Sequence, residues 1–128
     1  MKRLLLLCLL ALSASSPAFA ARIAIIKPHS ATQFEGSVMA VRGIAQVREN
    51  EQLQGIDVRL LGPDGRVQFV GFIPRLNEYA FPHVKALDGK EVVMYGVMEI
   101  YHGHGATQLL YRDQVQAWPV VPRTRRAA

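Results

Sequence analysis

The chain has 128 residues, half of them apolar, a formal net charge of +5 and a single cysteine. Five of its 15 basic residues (Lys2, Arg3, Arg123, Arg125 and Arg126) lie in the two terminal stretches, so the remaining ten face all 10 acidic residues in a body that is close to neutral. This excludes a protein-wide electrostatic footprint for phosphate binding and leaves only local patches for that work.

In chain order, Lys2 and Arg3 precede an apolar run from Leu4 to Leu12 and a small-x-small site at Ala18-Phe19-Ala20. That is the three-part pattern of a secretory signal peptide, assigned to residues 1–20, and it predicts a periplasmic or secreted protein with no permanent membrane anchor. Cys8 leaves with it, so the mature chain has no thiol. About one hundred residues remain, enough for one small domain.

Arg22 to Ile26 is a short β-prone run, and Lys27 to Glu35 reads as polar, so residues 21–35 form an N-terminal segment ahead of a barrel over 36–118 and a basic tail over 119–128. Ser37 to Arg48 is a long strand in which Gly43 predicts a bulge or bend. Ile56 to Leu61 and Arg66 to Ile73 flank Gly62-Pro63-Asp64-Gly65, a hairpin signal in which proline presets φ and glycine accepts a positive φ. Arg75 to Ala86 is the one helical stretch, limited by Pro82. Val92, Met94, Gly96, Met98 and Ile100 share one face of a fourth strand. His102 to Gly105 then turn the chain into a last strand through Thr107, Leu109 and Tyr111. The reading is all-β, a five-stranded OB-fold Greek-key barrel with a short helix between strands 3 and 4.

Phe69-Val70-Gly71-Phe72-Ile73, Phe81-Pro82, Leu87, Gly89-Lys90, Val92, Gly96, Tyr101, Gly103 and Gln114-Val115 carry a family resemblance. The chain resembles the small nucleic-acid-binding-type OB domains of secreted bacterial proteins, which are related to tRNA anticodon-binding domains. The likeness covers most of the mature chain, best from Phe69 onward, and implies a binding platform. Members of that family often carry a basic residue and a proline after the Tyr-x-Gly turn, and an acidic residue near the end of the last strand. Here His104, Gly105 and Tyr111 occupy those places, which weakens the phosphate-attracting charge at that rim.

Catalytic material is thin. Ser30 and Ser37 are the only serines after the signal segment, and Asp57, Asp64, Asp88 and Asp113 sit beside turns or strand ends, where carboxylates cap backbone N–H groups. No nucleophile, base and orienter assemble, so the chain is read as non-enzymatic. His102-Gly-His104 has metal-ligand character, with His29, His83 or Glu99 as a third ligand, but spacing alone fixes none. The bland reading, exposed turn residues, is preferred, and no metal or cofactor is expected.

OB domains bind along the exposed faces of their second and third strands. Alternation puts Arg59, Gln68 and Phe72 there, opposite Leu60, Phe69 and Ile73, with Tyr101 and His104 at the rim; these five are the candidate ligand-binding residues. A second feature is the apolar line Val93, Tyr95 and Val97, where a solvated strand would alternate to polar residues. Ile23 to Ile26 or the Trp118 segment is expected to cover it, and another protomer or a partner protein is the alternative. The functional expectation is a binding module for single-stranded nucleic acid or another oligomeric anion. The alternative is an envelope-stress or interaction module that holds a protein partner or a small ligand without nucleic acid.

Overall fold

The computed structural model describes residues 23–120. The expected signal segment, Cys8 and the arginines of the tail lie outside the described residues. Strand dominates: β1 (Ile25–Ile26), β2 (Val38–Asn50), β3 (Gly55–Leu61), β4 (Val67–Pro74), β5 (Glu91–Val97), β6 (Glu99–Tyr101), β7 (His104–Gln108) and β8 (Val115–Ala117). Four 3-10 helices join them: η1 (Pro28–Phe34), η2 (Arg75–Ala80), η3 (Val84–Leu87) and η4 (Arg112–Gln114).

The strands form one sheet in the order β6-β7-β4-β3-β2-β5-β8, with β1 added alongside β2. Antiparallel pairing runs β2 with β3 and β3 with β4, β7 pairs parallel with β4, and β5 returns antiparallel to β2. Among the described residues there are thus eight strands where the sequence predicted five, and the hydrogen-bond ladder stays open. The expected fourth strand breaks at Met98, whose N–H donates to Ser37 O and whose carbonyl accepts from Gly36 N–H, both at 2.8 Å. Ile100, expected to point inward with Met94, is therefore exposed. The expected last strand ends at Gln108: Leu109 is fully buried, and Tyr111 is exposed beside η4.

Gly43 makes no bulge. β2 runs unbroken and changes partners beside it, pairing with β5 up to Ile44 and with β3 from Ile44 onward. The missing side chain makes room for a neighbour, since a Cβ there would lie 3.1 Å from Pro28 Cγ. Pro28 and Ala31 are buried, so the stretch read as polar folds as η1 and packs into the core. The predicted helix is two 3-10 helices interrupted at Phe81-Pro82, because proline cannot continue the helical hydrogen bonding.

Alternation places the core as expected. Val58, Leu60, Phe69, Ile73, Met94 and Met98 are fully buried, each contributing about 1.5–3 kcal/mol of transfer free energy. Phe81, Val84 and Leu87 of the η2–η3 region join this cluster. At the predicted β3–β4 hairpin, Gly65 N–H donates to Gly62 O at 3.0 Å with Gly65 at φ 80°, and Asp64 Oδ1 accepts from Arg66 N–H at 3.0 Å.

Candidate functional site

The outer face of β3, β4, β7 and β6 is set by register. Arg59 lies opposite Val70, Val70 opposite Ala106, and Ala106 opposite Glu99, so one row crosses four strands. The next row runs Asp57, Phe72, Gln108. Over these rows lies a groove of about 390 Å³ whose walls include Arg59, Phe72, Tyr101 and His104, with Val67 and Ile100 adding apolar surface. Four of the five residues singled out for ligand binding thus meet in one depression.

Gln68 does not line it. The β3–β4 register slips between Leu60 and Leu61, which pairs Leu60 with Phe69 and Leu61 with Val67. Gln68 is the extra residue of that bulge, its amide lies over Gly62, and Val67 takes the groove position instead. Strict alternation across the hairpin hides such a slip.

The rim is built by the β6–β7 hairpin. Its two-residue turn, His102-Gly103, has φ of 52° and 85°, the positive pair that matches the twist of the flanking strands. His104 and Gly105, expected in the turn, already belong to β7. Tyr101 packs edge-on against His102 with ring centroids 4.0 Å apart, and His104 Nδ1 donates to Gly105 O at 3.0 Å. Among the described residues no group of three His, Cys, Asp or Glu side chains comes together to hold a metal.

The charge of the groove is mixed. Asp57 is buried and accepts from Asn50 Nδ2 at 3.1 and 3.3 Å, while Arg59 Nη2 lies 3.7 Å from its Oδ2. Glu99 also lines the groove, so one guanidinium, already partnered, faces two carboxylates. That balance attracts an apolar or cationic group more readily than a phosphate chain.

Val93, Tyr95 and Val97 point outward from β5, as the alternation indicated. Val93 is buried, Tyr95 half-buried and Val97 exposed. The two terminal segments flank the strip. β1 pairs with β2 at Ala40, β8 pairs with β5 from Val92 to Met94, and a depression of about 570 Å³ runs between Ile25 and Trp118 with Tyr95 in its floor. The guanidinium of Arg42 lies 4.2 Å from the ring centroid of Trp118, and Arg42 Nε lies 2.6 Å from Glu91 Oε2, which fixes that side of the depression.

The seam between β5 and β7 gave no signal in the sequence. No ladder joins them, and side chains do so instead. Thr107 Oγ1 donates to Val97 O at 2.9 Å, and Gln114 Nε2 donates to Tyr95 O at 2.9 Å and to Gln108 O at 3.1 Å. Gly96 faces both, and a Cβ there would meet Thr107 Oγ1 and Gln114 Nε2.

No protein-family model matches this chain, and no curated protein matches it. Among solved structures it is similar to OBody AM1L10 bound to hen egg-white lysozyme, at 12% identity and a TM-score of 0.43, covering 70% of this chain and 85% of that one. It is also similar to OBody AM3L15 bound to hen egg-white lysozyme, again at 12% identity and a TM-score of 0.43, covering 74% of this chain and 88% of that one.

Proposed function

We propose that the protein is a non-enzymatic binding module of the periplasm or the cell exterior, built as an OB-type barrel, which holds a polypeptide segment or small ligand in the groove walled by Arg59, Phe72, Tyr101 and His104. The barrel reading draws on the β2-β3-β4 meander, the parallel β4–β7 pair and the return of β5 to β2, the connectivity of an OB-fold's five strands. The observation that carries the function is the convergence of those four side chains on one depression. Such grooves, apolar with a few placed polar groups, are where small domains take ligands. Arg59 is held by Asp57, and His104 Nδ1 is engaged with backbone, so neither is set up as a nucleophile's base.

Nucleic acid or another oligomeric anion is the second reading. Phe72 and Tyr101 favour it, since each base stacked on a ring contributes about 1–3 kcal/mol. The two carboxylates beside the single guanidinium oppose it. Titrating the 15N-labelled protein with a dT20 oligonucleotide at two salt concentrations separates the readings. The polypeptide reading expects no saturable shifts in β4, β6 or β7. Saturable shifts there, weakening with salt, would replace it with the nucleic-acid reading.

A further inference from the structure

Glu99 is exposed, and among the described residues it forms no ion pair. It also stands between two depressions. One is the groove over Phe72 and Arg59; the other, about 440 Å³, lies across the β5–β7 seam against Val38, Val97, Leu110 and Tyr111. Glu99, Thr107 and Gln108 belong to the walls of both. Thr107 is buried and bound to Val97 O, and Glu99 is the only charged group of the shared wall. On the far side Val38, Val97, Leu110 and Tyr111 are all exposed, with Tyr111 at 68%.

We infer that the two depressions form one track for an extended polypeptide segment of a partner protein, in which a lysine or arginine meets Glu99 and apolar residues on either side enter the Phe72 groove and the Leu110–Tyr111 groove. The inference rests on the binding reading above and names its ligand class. Charge complementarity selects the occupant. Of the two carboxylates lining these depressions, Asp57 already has Arg59, and Glu99, at the crossing, has no cation among the described residues. A polyphosphate crossing here meets a bare negative charge, and an uncharged apolar strand leaves Glu99 desolvated without a partner. An extended chain also fits the spacing, because alternate residues of a strand project to one side and can enter successive depressions.

The test is selection of phage-displayed random dodecapeptides on the immobilised full-length protein, followed by titration of the enriched peptide against variants. Enriched peptides are expected to share a lysine or arginine flanked by aliphatic or aromatic residues. Glu99→Gln should weaken the peptide about tenfold, Leu110→Ser and Phe72→Ala should each weaken it, and Glu99→Asp should retain part of the affinity. Glu99 and Leu110 are exposed, so unchanged melting temperatures will show that these variants are folded. Peptides that lack a cation, or that bind Glu99→Gln as well as wild type while losing affinity to Phe72→Ala, overturn the track and leave the groove reading standing. Failure to enrich any peptide overturns the track and leaves the groove to a small ligand. Binding of dT20 that Glu99→Gln strengthens replaces the polypeptide with nucleic acid, and self-association abolished by Leu110→Ser replaces it with a second copy of the chain.

Discussion

The side-chain amide of Gln114 reaches across a gap in the sheet to the main-chain carbonyl of Tyr95, at 2.9 Å. The same amide donates to Gln108 O, while its Oε1 accepts from Leu110 N–H at 2.6 Å and from Tyr111 N–H at 2.9 Å. Both donors and both lone pairs are therefore used in a buried residue. Gln114→Leu keeps much of the volume and removes all four bonds. Backbone groups left unpaired in the interior lower stability, here by about 2–4 kcal/mol. Urea unfolding measures it, and a loss under 1 kcal/mol would show that water replaces the amide.

Gly96 belongs to the same seam. A Cβ at that position meets the hydroxyl of Thr107 and the amide of Gln114, so Gly96→Ala must displace at least one seam bond. The expected cost is about 1–3 kcal/mol. If the clash is the cause, the double variant Gly96→Ala with Thr107→Ala should be less destabilised than the two single changes added together. Strict additivity would assign the cost to backbone conformation instead.

Asp57 sets the charge of the groove, and Asp57→Asn frees Arg59 from its carboxylate while retaining a polar partner for Asn50. Under the nucleic-acid reading, affinity for dT20 should rise and its salt dependence should steepen by about 0.7 in slope, the equivalent of one phosphate contact. Fluorescence anisotropy at several salt concentrations reads both. An affinity that stays flat would mean that Arg59 does not reach a bound strand.

Tyr95 lies between the terminal segments, with Ile25 on one side and Trp118 on the other. Intramolecular cover predicts that Tyr95→Ser lowers the stability of the monomer by about 1–2 kcal/mol. Thermal unfolding at low protein concentration, alongside sedimentation velocity, decides it. Unchanged melting together with lost self-association would hand the strip to a partner.

The parts of this fold legible in the sequence are those governed by neighbours along the chain. Alternation in β3, β4 and β5 identified the inward faces carrying Leu60, Phe69 and Met94, and Gly62 to Gly65 announced its hairpin. What stayed hidden depends on residues distant in sequence. Met98 breaks the fourth strand because its backbone bonds to Gly36 and Ser37. η1 enters the core because Gly43 opens space for Pro28. The same division holds at the groove. Arg59 and Phe72 follow from parity on their strands, whereas the exchange of Gln68 for Val67 follows from a bulge, and Glu99 and Leu110 gain their places only from the seam.

The parallel pairing of β4 with β7 carries a consequence for the order in which the molecule assembles. The β2-β3-β4 meander closes through short connections, whereas β7 must return across the η2–η3 region and all of β5 before Phe69 can pair with Gly105. Loop closure over such a span is slow relative to hairpin formation. The meander is thus available as a nucleus, and the groove, with two walls on β3 and β4 and two on β7 and β6, comes into being only at the final docking. Run backwards, the same order makes recognition more fragile than the fold: mild destabilisation that frees β7 dissolves the groove while the meander and its share of the core persist.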